Sequence, residues 1–96
     1  MNLVYKVCSK DEWDQAIFNQ SYSGSNVDNK DGFIHLSTKK QLIETVAKHF
    51  QGKNNLVIIS FNIEKIQDNL KWEVSRNGGL FPHYYGNLET KFVEKI

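Results

Sequence analysis

One stretch in the first half of the chain, Asp31 to Thr38, constrains the fold more than any other. It reads Asp-Gly-Phe-Ile-His-Leu-Ser-Thr, so a turn signal opens onto an alternating run that closes on two residues favouring helix N-caps. This order predicts a turn, a short strand and a helix start. Strand alternation places Phe33, His35 and Ser37 on one face, opposite two aliphatic residues. The aliphatic face anchors the strand, so we expect it to hold His35 rigidly beside a helix N-terminus, where functional groups are often placed.

The composition bounds the class of protein. At 96 residues we expect one domain, residues 1–96, and the 40% apolar and 24% charged content is that of a globular chain. A formal net charge of +1 provides no general attraction for nucleic acid or anionic lipid. Cys8 is the single cysteine, which excludes an internal disulfide, and no apolar segment resembles a signal peptide or a membrane span. We therefore expect a cytoplasmic protein that is a monomer or a weak dimer.

Two helices are predicted from capping and periodicity. Ser9 and Glu12 have the spacing of a capping box and open a helix from about Lys10 to Asn19. Thr38 and Gln41 repeat that spacing. The second helix carries the strongest apolar periodicity in the chain, with a left-handed C-cap expected at Gly52; its apolar positions are Leu42, Ile43, Val46, Ala47 and Phe50.

The remaining apolar runs predict strands. Residues 3–8 alternate as a first strand, and residues 56–61 are expected at the sheet centre, buried on both faces. Leu70, Trp72 and Val74 are expected to point inward, which turns Glu73 to the opposite face. Asn62 is expected to cap a short turn, and residues 92–96 suggest a closing strand. The order of elements favours a compact α+β fold with two main helices and a largely antiparallel sheet.

Residues 20–30 are rich in Ser, Asn, Gly and Asp and show no periodic pattern. They predict a surface loop that is long for so small a domain. A lid over a site and a plain connector are both consistent with this composition.

Arg76 is the single arginine in a chain that otherwise uses lysine as its cation. A guanidinium grips phosphate or carboxylate through two parallel hydrogen bonds, which an ammonium cannot copy. Arg76 follows Glu73 by three residues, so a structural ion pair between them is the alternative. Both roles can hold at once.

The stretch from Arg76 to Gly86 is dense in glycine and aromatic residues and contains the single proline, and we interpret it as a loop. Its aromatic rings offer flat faces for a base, a nicotinamide or a sugar, although aromatics in small domains usually fill the core. We expect Phe81 and one of Tyr84 and Tyr85 in the core, leaving His83 and the other tyrosine at a pocket.

For each histidine, a structural role is the alternative to a catalytic or ligand-binding role. A lone histidine such as His35 is most often a satisfied structural residue, and His49 fits as a surface complement to the helix dipole. The histidines lack the cysteine or carboxylate cluster of a metal centre, so no metal is expected.

These residues resemble a known family. The motif at residues 31–37, the pair Trp72-Glu73, Arg76 and the run from Gly79 to Gly86 together look like the bacterial family called domain of unknown function 952. That family is thought to share the bent, split sheet and NAD cleft of ADP-ribosyltransferases. Residues 33–36 also resemble a His-Val-His-Leu segment of NAD-dependent RNA 2′-phosphotransferases, with Lys6 standing where those enzymes carry an early histidine.

The resemblance implies roles in a cleft that binds NAD or a related phosphorylated nucleotide. Arg76 would clamp phosphate, His35 and Ser37 would contact ribose or phosphate, and Tyr84 or Tyr85 would stack on a ring. In an enzyme that transfers ADP-ribosyl or a related group, Glu73 would stabilise charge at the anomeric carbon and His83 would act as acid or base.

A non-enzymatic module that binds a metabolite or a protein in the same cleft is the alternative. RNA binding is a weaker third hypothesis, because the lysines form no basic stripe along the sequence.

Overall fold

A computed structural model describes residues 2–75 and 78–96, and Arg76 and Asn77 lie outside the described residues. The strands are β1 (Leu3–Ser9), β2 (Ser21–Tyr22), β3 (Ile34–His35), β4 (Leu56–Asn62), β5 (Leu70–Val74), β6 (Leu80–Tyr84), β7 (Leu88–Glu89) and β8 (Val93–Lys95). The helices are α1 (Lys10–Asn19), α2 (Asn26–Asp31), α3 (Lys39–His49) and α4 (Ile63–Ile66), with 3-10 turns at Gln67–Asn69 and Thr90–Phe92.

The strands form three small sheets, ordered β1-β4-β8, β2-β7 and β3-β6-β5, and every pairing is antiparallel. Tyr5 and Ser37 join the first sheet to the third, because their backbones exchange N–H···O bonds of 2.8 and 2.9 Å. The predicted α+β class and antiparallel pairing are confirmed. The ADP-ribosyltransferase-like fold stays a prediction.

The two main helices are confirmed. The Ser9 hydroxyl accepts from the Glu12 N–H at the start of α1, and Thr38 and Gln41 form a reciprocal capping box at the start of α3. The predicted C-cap at Gly52 is wrong, since α3 ends at His49 with Phe50 as its C-cap. Gly52 does adopt a positive φ of 76°, but in the turn that follows the helix.

The segment predicted as a loop, residues 20–30, contains β2 and most of α2. Ser25 and Asp28 form a capping box that starts α2, and Gly32 ends it in the left-handed region. A two-residue strand and a helix of under two turns are too short to show periodicity, so neither is predictable from an apolar pattern.

The predicted inward face of β5 holds for Leu70, which packs against the core, and is wrong for the other two residues. Trp72 and Val74 are 43% and 69% exposed, because β5 is an edge strand of the third sheet and that face is only partly covered. Glu73 points to the opposite face of β5, as predicted, and there it contacts His83 of β6. In β4, burial on both faces holds for residues 59–61 only, since Ile58 is 43% exposed.

The glycine-rich stretch predicted as a loop contributes β6, the central strand of the third sheet. Pro82 lies within it and accepts a 3.0 Å bond from the Leu36 N–H. Proline has no N–H with which to return that bond, which is consistent with β3 ending at His35.

The core lies between the sheets and α1, and α3 contributes no buried residue to it. Its buried members are Val4, Cys8, Trp13, Ala16, Tyr22, Ile34, Leu36, Ile59, Phe61, Ile66, Tyr84 and Leu88. Across the described residues, no helix has the length and apolar character needed to span a membrane.

Candidate functional site

A cleft of about 570 Å³ opens between β1, α2, β3, α3 and β6. Its lining mixes both signs of charge with histidine, and the ionisable side chains that reach it include Lys6, Glu12, Asp28, Asp31, His35, Glu44, Lys48, His49, Lys53 and His83. A lining of this kind suits a polar ligand that carries both donors and acceptors.

His35 is held by two carboxylates from α2. Its Nδ1 lies 2.6 Å from Asp28 Oδ1, and its Nε2 lies 2.9 Å from Asp31 Oδ2. A neutral imidazole has one N–H, whereas the imidazolium has two. The geometry therefore matches an imidazolium that donates to both carboxylates.

Asp28 is the buried centre of this network. Its Oδ2 accepts from Lys6 Nζ at 2.8 Å and from the Ser25 N–H at 2.9 Å, and its Oδ1 accepts from the His35 N–H at 3.1 Å. Burial raises the pKa of Asp28, but the hydrogen bond from His35 and the charge of Lys6 outweigh it and hold the pKa well below its ordinary value. Lys6 also donates to the His35 carbonyl at 3.2 Å, so one ammonium ties β1 to both α2 and β3.

His83 is positioned by a different carboxylate. Its Nδ1 lies 2.9 Å from Glu73 Oε1, and the Tyr85 hydroxyl donates to the same oxygen at 2.7 Å. The hydrogen bonds from Tyr85 and His83 lower the pKa of Glu73, and the bond to Glu73 raises the pKa of Tyr85. When Nδ1 of a neutral His83 carries the proton and donates to Glu73, Nε2 of the same ring is a hydrogen-bond acceptor.

Phe33 packs the two histidines together. Its ring stacks on His83 with centroids 4.0 Å apart and lies 4.5 Å from the His35 ring and 5.4 Å from the Tyr85 ring. The centroids of His35 and His83 are 5.6 Å apart. Both histidine rings therefore pack against the same aromatic side chain.

The structure brings most of the predicted site residues to this region. His35 and His83 line the cleft, Glu73 lies behind His83, and Ser37 lines the cleft with its hydroxyl 2.9 Å from that of Thr45. Tyr84 is buried in the core, as expected of one tyrosine, whereas Tyr85 is half-buried on Glu73 and is not among the described residues that line the cleft.

Phe81 and Arg76 differ from the other predicted residues. Phe81 lines the cleft at intermediate burial, so its expected place in the core is wrong. Arg76 and its alternative ion pair lie outside the described residues, although Ser75 and Gly79 on either side of residues 76–78 line the cleft.

Sequence reasoning missed Lys6 and Asp28. A signal for Lys6 was present, because strand alternation places it between Val4 and Cys8, and a cation on so apolar a face needs a buried partner. Asp28 had a weaker signal in its capping-box spacing from Ser25. Pairing the two required the tertiary fold. In the part of the chain that the structure describes, no three histidine, cysteine or acidic side chains are grouped to hold a metal, and the expected absence of a metal stays a prediction.

Comparison with known proteins places the chain among relatives of solved structure. The model of a family described as "Protein of unknown function (DUF952)" matches residues 7–96. The crystal structure of protein CC0527 from Caulobacter crescentus has a TM-score of 0.94 at 46% identity, covering 97% of this chain and 82% of that chain. A solution NMR structure of CC0527 has a TM-score of 0.87 at 46% identity, covering 99% and 82%. No curated protein gives a significant match.

Proposed function

Because the chain belongs to the DUF952 family, whose description states no function, we propose a function from the cleft itself: it binds NAD or a related phosphorylated nucleotide. The observation that carries the proposal is the pair of cleft-lining histidines. Their ring centroids are 5.6 Å apart, and each Nδ1 is held by a separate carboxylate. Histidines oriented in this way serve as hydrogen-bond donors to phosphate or as acid and base.

Cations at the cleft support a phosphorylated ligand. Lys48 and Lys53 line it from α3 and from the turn after α3, and Lys53 Nζ also lies 5.7 Å from the centroid of the Phe50 ring. In the proposal Arg76 grips a phosphate through its donor fork, and Ser37 and His35 contact ribose or phosphate. The expected stacking by Tyr84 or Tyr85 is not part of the proposal, because the Tyr84 ring is buried in the core and Tyr85 is not among the described residues that line the cleft.

If the bound nucleotide reacts, the bond that breaks joins nicotinamide to C1′ of the ribose. The oxygen of water or of an acceptor hydroxyl forms the new bond to C1′, the electron pair of the broken bond leaves with nicotinamide, and His83 Nε2 takes the proton. Glu73 acts here as a positioning residue, because its carboxylate already accepts from both His83 and Tyr85. A direct role at the anomeric carbon requires Glu73 to release those bonds.

A binding module without turnover is the second candidate. The observation favouring it is that both ring nitrogens of His35 are already occupied by carboxylates, as in a structural network. A cytoplasmic location remains a prediction for either function.

The test is a titration of NAD and of ADP-ribose against the protein, followed by histidine side-chain NMR, with an assay for free nicotinamide. The proposal expects both ligands to shift the His35 and His83 signals. Slow nicotinamide release that His83→Asn abolishes, with binding retained, supports the transferase, and binding without release supports the module. No shift at either histidine with either nucleotide contradicts nucleotide binding altogether.

A further inference from the structure

We infer that Asp31 is an internal competitor for the ligand's anionic group: its carboxylate occupies His35 Nε2, the atom that receives a phosphate oxygen when ligand binds. This inference rests on the proposed function. It specifies an oxyanion as the ligand group that binds at the His35 end of the cleft.

The two carboxylates on His35 are not equivalent. Asp28 has a side chain only 2% exposed and is bound by Lys6, the Ser25 N–H and His35, so it cannot leave without stranding a buried charge. The Asp31 side chain is 42% exposed, and its ion pair with His35 is of the solvent-accessible kind that contributes little stability. The geometry therefore makes Nδ1 a permanent anchor and Nε2 an exchangeable position.

The charges agree with this assignment. Asp28 and Asp31 both come from α2. Lys6 on β1 lies beside Asp28, and His83 on β6 faces the His35 ring. An imidazolium at His35 together with Lys6 balances the two carboxylates. When Asp31 turns toward solvent, the network keeps one net positive charge, which favours an incoming anion.

Asp31 can release His35 without a change in the backbone. It is the last residue of α2, and its side chain is 42% exposed. Asp28 and the rest of α2 can stay in place, because a rotation of the Asp31 side chain alone exposes Nε2.

The experiment compares wild type with Asp31→Ala, using inorganic phosphate and ADP-ribose as probes and the His35 Nε2 NMR signal as the readout. We expect Asp31→Ala to bind both probes about two- to fivefold more tightly, in keeping with the small free energy of an exposed ion pair. Asp14→Ala is the matched control, since Asp14 forms an exposed i,i+4 ion pair with Lys10 on α1 and its removal changes the net charge equally. The control is expected to leave both affinities unchanged.

The outcomes separate this inference from the proposed function. Equal or weaker binding by Asp31→Ala, or an equal gain in Asp14→Ala, overturns the competitor role while nucleotide binding stands. Tighter phosphate binding at His35 in Asp31→Ala, without any response to ADP-ribose, supports the oxyanion position and contradicts the nucleotide. A phosphate response at His83 with none at His35 overturns the inference, as does the absence of any response in both proteins.

Discussion

His35 and His83 are direct cross-strand partners on β3 and β6, and their side chains meet edge to face at the cleft although 48 positions separate them in the chain. Each ring is fixed by a carboxylate from an element other than its own strand. The two carboxylates differ in burial, so their removal is expected to have different consequences.

Asp28→Asn is expected to destabilise the fold strongly, because it leaves Lys6 as a buried charge without its counterion. Breaking a buried ion pair on one side costs about 3–5 kcal/mol. Urea unfolding measures the loss, and Asp68→Asn, at an exposed position, is the control expected to change little. A loss below 1 kcal/mol for Asp28→Asn would mean that the network contributes little to stability.

The acid side of the stability profile is expected to depend on Asp28. Its folded-state pKa is lowered from 3.8, so its contribution is complete above that ordinary value and is lost as the pH falls below about 4 toward the folded-state pKa. Thermal unfolding between pH 2 and pH 7 measures this. The Asp28→Asn variant should show a flatter profile than wild type below pH 4, and parallel profiles would contradict the assignment.

Glu73→Gln is expected to lower the pKa of Tyr85 toward its ordinary value, because a neutral amide no longer opposes ionisation of the phenol. NMR titration of labelled tyrosine follows the Tyr85 signal directly. Glu64→Gln changes an exposed glutamate on α4 and serves as the control. An unchanged Tyr85 titration would show that the bond between Glu73 and Tyr85 does not persist in solution.

Arg76→Lys is expected to keep the fold and abolish binding of ADP-ribose, because a lysine retains the charge and loses the two-pronged donor. Calorimetric titration measures binding and circular dichroism measures folding. Lys65→Arg is a reciprocal control at an exposed position on α4. Marked unfolding of Arg76→Lys would instead favour the structural ion pair with Glu73.

Cys8 is expected to be unreactive in the folded protein. Its thiol is 2% exposed, and burial, followed by the charge of Glu12, raises its pKa to about 11. At pH 8 a thiol reagent should modify the native chain roughly a hundredfold more slowly than the chain in urea. Equal rates would show that the β1 region opens readily.

Local patterns account for the part of the fold that was predicted. The boundaries of α1 follow from a cap and an apolar stripe, and those signals act within one or two turns of chain. The same reasoning failed for α2 and β6. Helix α2 is too short to show an apolar period. Strand β6 contains a proline and follows glycines, a composition typical of a loop, and its pairing with β3 and β5 is a tertiary contact.

The sequence by itself determined the two main helices, the motif strand that places His35 opposite an apolar anchor, and the stretch that supplies His83. Only the tertiary structure decided which groups these histidines meet. The ion pair of Lys6 with Asp28 joins residues 22 positions apart, and no local rule selects one carboxylate from eleven acidic residues. That choice is made by burial, because a charge enclosed by the core is stable only where the fold brings an opposite charge to it.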